Sequence, residues 1–304
     1  MTFSIPKDGS IFMSDVRERI ETLIELGIWH GISRTQLNAW LTNFESDLEL
    51  YFAACVLDVL IYRSELQTKA LIQQFLQRTL PTVIDRMSLS INGGPDWQEL
   101  LRSESLDPHI RFVPVVRDDD PPTKSAHWIL RLMKRSFDVN EKWIWSQTAL
   151  RSNIPSSVEA IIFVDDFLGT GSQFEEFYNG QDVQSVASRV RLAYLPLVAF
   201  SGGRESLTTT YSRLHVDSVE RLDNSHRLFH PECECFQDGT NSVEDAKIFY
   251  YDLLRRRGIS ILGDERRGYG GLELAYSFAH ASPDNCLPIL WWDKSPSWKP
   301  LLER

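Results

Sequence analysis

Cysteines, long apolar runs and excess positive charge are all scarce in this sequence. Its four cysteines, Cys55, Cys233, Cys235 and Cys286, are too few and too dispersed over 304 residues to form a disulfide framework. No apolar run reaches the ~18 residues that a membrane-spanning helix needs. The first ten residues contain no apolar export segment. We therefore expect a cytoplasmic protein with reduced thiols and no membrane association.

The charge balance narrows the range of partners. The formal net charge is -10 and the isoelectric point is about 5.2. A broad basic face that neutralises a nucleic-acid backbone is not expected, so we predict no direct binding of nucleic acid. Small anionic ligands would instead need a local pocket of donors. Residues 230–235 contain one His and two Cys, but their Cys-x-Cys spacing lacks the pairing typical of zinc sites.

The first 80 residues have the periodicity of amphipathic helices. Apolar residues recur three and four positions apart from Val16 to Ile24 and again from Leu50 to Ile61. Ser33 is a candidate N-cap for a helix whose buried face would include Trp40, Leu41 and Phe44. We predict an N-terminal helical subdomain over residues 1–95, which ends in a turn-rich segment at 91–96.

From residue 96 onward, apolar segments of strand length alternate with helical periodicity. Strands are predicted at 110–116, 160–164, 190–200 and 288–292, and a helix at 128–137. This alternation indicates a parallel sheet with helices on both faces, whose ligand crevice lies beyond the carboxyl ends of its strands. We predict one α/β domain over residues 96–304.

Two adjacent carboxylates and a glycine-containing loop follow the predicted strand at 160–164. Two carboxylates such as Asp165 and Asp166 can accept hydrogen bonds from a cis-diol, and glycine permits close approach of the backbone to a phosphate. Thr170 and Ser172 add hydroxyl donors. Paired Asp after a buried strand also occurs in phosphoryl-transfer receivers and metal sites, but the Thr-Gly-Ser that follows favours a ribose-phosphate pocket.

These residues resemble the signature of type I phosphoribosyltransferases. The resemblance implies that Asp165 and Asp166 contact the ribose hydroxyls of phosphoribosyl pyrophosphate. It also implies a 5'-phosphate loop formed by the residues that follow, Gly169, Thr170, Gly171, Ser172 and Gln173. The chain departs from the common pattern at three of these positions: Gly169 stands where many such enzymes have Ala or Thr, Ser172 where Gly is common, and Gln173 where a hydroxyl is usual.

Several shorter motifs extend the resemblance over nearly the whole chain. They are residues 40–44, Lys124 and Ser125 with Arg131, residues 268–272 and residues 282–291. In this order they are similar to the phosphoribosyltransferase-like proteins of bacterial conflict systems, which are effectors or accessory components of antiphage defence. The resemblance therefore implies a type I phosphoribosyltransferase-like fold, and a partner protein from a defence system that no residue identifies.

The resemblance also implies roles for the segments that flank the phosphate loop. The pyrophosphate side would be formed by Arg117, Thr123, Lys124 and Ser125. Asp118, Asp119 and Asp120 would repel pyrophosphate unless they bind Mg²⁺, although such a run is also typical of a solvated turn. A cap over the pocket would come from Tyr269, His280 and Asn285, whose alternative is an ordinary structural role.

Two classes of function follow from the resemblance. In the first, the protein is a transferase that binds phosphoribosyl pyrophosphate with Mg²⁺ and displaces the pyrophosphate with an incoming nitrogen nucleophile, or an effector that releases pyrophosphate and alters nucleotide metabolism when infection is sensed. In the second, it is an inactive sensor of a phosphoribosyl ligand, or a partner-binding subunit. The Asp pair and the Thr-Gly-Ser favour ligand binding in both, whereas Gln173 and the run at 118–120 favour the second. The sequence does not select an acceptor.

Overall fold

The chain folds into eleven α-helices and seven strands within the residues that the computed structural model describes, 2–89, 97–104, 108–121, 124–236 and 239–304. Thr123 and the whole turn expected at 91–96 lie outside these ranges. The helices are α1 Gly9–Glu25, α2 Arg34–Leu41, α3 Asp47–Val59, α4 Glu65–Gln74, α5 Leu80–Arg86, α6 Trp97–Arg102, α7 Ser125–Phe137, α8 Ser172–Gly180, α9 Val183–Ala187, α10 Ser201–Thr210 and α11 Val243–Arg256. The strands are β1 Ile61–Arg63, β2 Ile110–Pro114, β3 Ala160–Leu168, β4 Arg191–Phe200, β5 Leu214–Val216, β6 Glu220–Leu222 and β7 Tyr276–Phe278.

Contacts divide the chain into two compact units. The first contains residues 1–68 and 223–304, and the second contains residues 69–222. These units do not coincide with the predicted division at residue 95, because the N-terminal helices share a core with the C-terminal part of the chain. The independence of residues 1–95 and 96–304 as domains stays a prediction. None of the helices in the described ranges has the length and apolar character needed to cross a membrane.

The first unit joins α1, α2 and α3 to the C-terminal segment around a buried aromatic core. Ser33 caps α2 as predicted, because its hydroxyl accepts a hydrogen bond from the Gln36 N–H at 3.1 Å. The Trp40 indole N–H donates to the Ile289 carbonyl at 2.7 Å. β1 pairs in parallel with β7. The helical character predicted for the N-terminal part is therefore confirmed.

A parallel sheet forms the centre of the second unit. The strand order is β2-β3-β4-β5, and β6 pairs with the same edge of β4 beyond β5. Ile144 forms a parallel bridge to Phe112 on the outer side of β2. The chain thus moves outward from β2 to Ile144 and then returns past β2 to β3. The direction of winding reverses between β2 and β3.

Helices cover both faces of this sheet, as the alternating pattern predicted. One face carries an apolar cluster that includes Phe163 of β3, Phe174 of α8 and Leu207 of α10. α7 packs against β2 and β3, yet its buried residues lie outside that cluster, so it covers the opposite face. Because α7 follows β2 on one face and α8 follows β3 on the other, a crevice opens at the carboxyl ends of these two strands.

Two predicted strands differ from the observed elements. β3 runs four residues beyond Val164, so Asp165 and Asp166 lie inside the strand and not after it. The strand predicted at 288–292 is wrong: Pro288–Leu290 forms a 3-10 turn. Proline favours the first position of a helical turn, and its carbonyl accepts from the amides of Trp291 and Trp292 at 3.1 and 2.8 Å.

Candidate functional site

Asp165 is the most deeply buried carboxylate of the crevice, with only 1% of its surface exposed. It accepts hydrogen bonds from Gln173 Nε2 at 3.2 Å, from the Tyr194 hydroxyl at 3.3 Å and from the Asp166 N–H at 3.0 Å. Burial, followed by the negative charge of Asp166, raises the pKa of Asp165 well above its usual value. Gln173 and Tyr194 can both donate to it, so Asp165 holds the start of α8 against β3 and β4.

Asp166 lies beside the beginning of α7. Its Oδ1 accepts a hydrogen bond from the Ser125 hydroxyl at 2.8 Å. The preceding residue, Lys124, places a positive charge that acts on the carboxylates of Asp165 and Asp120. Within the described residues Lys124 forms no ion pair, so its ammonium group is available to an anion. The structure therefore brings together Lys124, Ser125 and the predicted Asp pair.

The predicted phosphate loop connects β3 to the start of α8. Gly171 has a φ of +97°, a left-handed conformation that favours glycine, and it forms the N-cap of α8. The hydroxyls of Thr170 and Ser172 lie 3.0 Å apart. The first backbone N–H groups of a helix lack partners inside the helix and attract anions. This loop therefore combines two hydroxyls with a helix N-terminus in the crevice.

Gly203 of α10 holds the phosphate loop in place from the neighbouring strand connection. A Cβ atom at this position would lie 2.0 Å from the Gly169 carbonyl oxygen and 3.0 Å from the Thr170 carbonyl carbon. Such distances are shorter than any van der Waals contact. Only glycine therefore permits α10 to approach the loop this closely.

The pyrophosphate-side loop is folded onto its own ion pairs. Arg117 forms ion pairs with Asp120, at 2.9 Å, and with Glu176. The hydrogen bonds that Arg117 donates to the Asp120 carboxylate raise the pKa of Arg117. Burial acts to raise the pKa of Asp120, but hydrogen bonds from Arg117 lower it below its usual value. Arg117 is thus held by carboxylates, which leaves Lys124 as the cation of this loop without an ion pair to a described residue.

The run Asp118, Asp119 and Asp120 does not converge on one point. Asp118 pairs with Arg151 at 2.6 Å and accepts a hydrogen bond from Gln181 at 3.0 Å. The side chain of Asp119 is 83% exposed and lies 3.7 Å from Arg117, and Asp120 faces the same guanidinium group at 2.9 Å. Among the described residues no three His, Cys, Asp or Glu side chains are grouped to hold a metal ion. These donors do not fit a metal site formed by the protein alone.

The three predicted cap residues all belong to the first unit. Asn285 Nδ2 donates to the Tyr269 carbonyl at 2.9 Å, and the Tyr269 N–H donates to the Asp284 carbonyl at 2.7 Å. The His280 ring stacks on Phe278 with centroids 5.0 Å apart. Gly268 allows this packing, because a Cβ there would lie 2.2 Å from the Asn285 carbonyl oxygen. The motifs at 268–272 and 282–291 therefore form one packed element of the first unit.

Sequence reasoning missed two residues that organise the crevice. Tyr194 donates to Asp165, and Gly203 contacts Gly169. A signal for the first was present, because a tyrosine hydroxyl inside a buried strand needs a hydrogen-bond partner. The role of Gly203 depends on the spacing between two loops, which no local pattern reports.

Comparison with a protein-family model agrees with this fold. A family model described as PRTase-CE matches residues 37–304. The match covers most of the first unit and all of the second. No curated protein matches the chain.

Proposed function

The chain belongs to the PRTase-CE family and is phosphoribosyltransferase-like, and from this premise we propose that its crevice binds phosphoribosyl pyrophosphate or a related nucleotide. The observation that carries the proposal is that Asp166, which accepts from Ser125 of α7, and the Thr170–Ser172 loop both lie at the carboxyl end of β3, beside the reversal of the sheet. A carboxylate there can accept from ribose hydroxyls, and the hydroxyls and amides of the loop can donate to a phosphate.

The two carboxylates have different roles in this proposal. Asp166 is the ribose-binding group, since it lies beside the start of α7 and already accepts a hydrogen bond from a hydroxyl, that of Ser125, as it would from a ribose hydroxyl. Asp165 is a positioning residue, because Gln173 and Tyr194 already occupy it. Lys124 is the group that faces the pyrophosphate.

Ligand binding without transfer is the form of the proposal that the geometry supports best. Arg117 is neutralised by Asp120 and Glu176, so the leaving pyrophosphate would meet one lysine in a loop that is otherwise acidic. Developing negative charge on a leaving group requires positioned positive charge or donors. A phosphoribosyl-ligand sensor or partner-binding subunit needs only the pocket. Transfer to a nitrogen nucleophile is the second candidate, favoured by the Asp pair.

Magnesium belongs to this proposal as a companion of the ligand. Asp118 and Asp120 are engaged in ion pairs, so the oxygens of the diphosphate would supply most of the coordination. Mg²⁺ commonly binds in this way, through substrate phosphates and few protein carboxylates. The ion would neutralise charge on the diphosphate.

Calorimetric titration with phosphoribosyl pyrophosphate and Mg²⁺ tests the proposed pocket. Asp166→Asn removes the charge but keeps the shape, and a lost charge-assisted hydrogen bond of about 1.5–3 kcal/mol weakens binding roughly tenfold or more. Asp165→Asn combined with Asp166→Asn is expected to abolish binding. Asp119→Asn, an exposed carboxylate of the neighbouring loop, is the matched control and is expected to bind like the parent. Unchanged binding by the double variant contradicts the assignment.

Release of pyrophosphate separates the two candidate functions. The protein is mixed with phosphoribosyl pyrophosphate and Mg²⁺, with and without a panel of nucleobases. A sensor binds the ligand and releases no pyrophosphate above the level of the Asp165→Asn, Asp166→Asn variant. Release that depends on the intact pair identifies a transferase.

We also propose a cytoplasmic role in antiphage defence, together with a partner protein of the same system. The support is the set of short motifs that the chain shares with proteins of bacterial conflict systems. Plaque assays on cells that carry the gene with its neighbours test this role. Equal plaque numbers with the parent chain and with the Asp166→Asn variant contradict it.

A further inference from the structure

A groove of about 500 Å³ lies at the amino ends of the sheet strands in the second unit, the end opposite the crevice. Its walls come from residues just before or at the start of three strands, Glu159 for β3, Arg191 for β4 and Arg213 for β5. Arg86, the last residue of α5, and Arg189 complete the rim. The groove is therefore separate from the loops that follow β2 and β3.

The rim is strongly basic in a chain whose net charge is -10. Arg189, Arg191 and Arg213 are exposed, and no carboxylate of the described residues forms an ion pair with them. Arg86 pairs with Asp217, which also accepts from Arg221 at 2.7 Å, so this one carboxylate is divided between two guanidinium groups. Glu159 is the acidic residue of the lining, and it lies 3.6 Å from a ring nitrogen of His109.

Concentrated like charges of this kind are unfavourable in the absence of an anion. Guanidinium groups repel one another at short range, and their planar donors match phosphate oxygens. The Arg213 guanidinium has a single hydrogen bond, to the Ala187 carbonyl at 3.4 Å, and most of its donors remain available. The rim thus offers many donors to one ligand.

The floor of the groove is apolar. It contains Met87, Val158, Ala187 and Val190, which are all buried beneath the rim. An apolar floor contributes no binding free energy to phosphate groups alone. A base or sugar packed on it would be removed from water, which favours binding. The volume suits a ligand the size of a single nucleotide, and the described lining residues include no Phe, Tyr or Trp on which successive bases of a polynucleotide would stack.

We propose that this groove binds a small ligand of the nucleoside-triphosphate class, with its phosphates on Arg189, Arg191 and Arg213 and its organic part on the apolar floor. This site goes beyond the pocket proposed above. β3 begins beside the groove and ends in the crevice, so both sites lie on one strand.

Calorimetry on the full chain tests the site with ATP, GTP and inorganic tripolyphosphate as probes. The variant Arg189→Gln with Arg213→Gln removes two charges and keeps much of both side chains. The control Arg78→Gln with Arg135→Gln removes two exposed arginines of the same unit that have no ion pair to a described residue. We expect one molecule of ATP or GTP per chain, weaker binding of tripolyphosphate, and a loss of roughly tenfold or more in the first variant alone.

Titration with phosphoribosyl pyrophosphate separates this site from the crevice. The groove variant and the parent are expected to give the same titration with phosphoribosyl pyrophosphate. This expectation holds also if the parent does not bind that ligand. The absence of heat with all three probes overturns the inference, as does equal weakening in the control variant. Tighter binding of a single-stranded oligonucleotide than of ATP, lost in the groove variant, also overturns it, because the arginines then belong to a nucleic-acid surface. Unchanged circular dichroism confirms that each variant is folded.

Discussion

Gly203→Ala perturbs the phosphate loop from outside the ligand pocket. The added Cβ would lie 2.0 Å from the Gly169 carbonyl oxygen, and ordinary contact begins near 3.4 Å. Either α10 or the loop must therefore move by about 1.4 Å. The neighbouring atoms are backbone, so rotation of a side chain cannot relieve the contact. Because hydrogen bonds within the helix hold the backbone of α10, the loop that would hold the phosphate is expected to shift.

The size of the effect follows from two opposing terms. Alanine in a helix is favoured over glycine by up to about 1 kcal/mol. Overpacking of a fixed contact costs about 1–3 kcal/mol. The free energy of unfolding of the second unit is therefore expected to fall by about 1–2 kcal/mol. A displaced loop also loses hydrogen bonds to the phosphate, at about 1.5–3 kcal/mol each, so binding of phosphoribosyl pyrophosphate is expected to weaken roughly tenfold or more.

Urea unfolding and calorimetry measure the two effects, and Gly180→Ala is the matched control. Gly180 is the last residue of α8, has no positive φ, and nothing lies within 4 Å of an added Cβ. The control should match or exceed the parent in stability and bind the ligand normally. If Gly203→Ala is as stable as Gly180→Ala and binds as tightly, the close approach of α10 does not position the loop.

Three further predictions concern other parts of the chain. The pKa of Asp165 is raised in the folded state, so its contribution to stability is present below the ordinary carboxyl pKa and is lost as pH rises toward the folded-state pKa. The free energy of unfolding of Asp165→Asn, measured in urea, should therefore increasingly exceed that of the parent as pH rises. A difference between the two that does not change with pH contradicts this. Trp40→Phe removes one of two indole donors to the Ile289 carbonyl, the other being Trp298 at 3.2 Å, and should cost about 1–2 kcal/mol; no loss in thermal or urea unfolding contradicts a shared core of the first unit. Chelation of Mg²⁺ should weaken binding of phosphoribosyl pyrophosphate at least tenfold, as measured by calorimetry with and without EDTA, and restored binding with added Mg²⁺ is the control.

Local sequence patterns were sufficient to predict helices and strands where the burial of side chains follows directly from their periodicity. The helices around Trp40 and Leu57 and the strands around Phe112 and Leu195 lie within about three residues of the predicted segments, whereas α1 begins seven residues before Val16 and β3 runs four residues beyond Val164. The Ser33 cap was readable because its hydroxyl and the Gln36 amide are three residues apart. The strand predicted after Leu287 was wrong. The apolar composition of this run is typical of a strand, but the backbone geometry of Pro288 favours a turn.

The candidate site could be predicted only in part, because local patterns do not show which residues meet in the folded chain. Asp165 and Asp166 look equivalent in the sequence, but Tyr194 and Gln173 occupy the first while Ser125 contacts the second. Arg117 has the charge expected of a pyrophosphate contact, yet Glu176 lies 59 residues away and neutralises it. Such partners come from separate elements, and no local pattern brings them together.

The sequence by itself determined the class of secondary structure, the acidic pair, the phosphate-type loop and the likeness to phosphoribosyltransferases. These depend on residue types at short spacing, which act through local backbone preference and side-chain chemistry. The tertiary structure alone decided which side chains contact each carboxylate, which cation of the loop has no ion pair to a described residue, and that arginines distant in sequence line one groove. Those properties depend on the order of strands in the sheet, because parallel strands place all their amino ends on one side and all their carboxyl ends on the other.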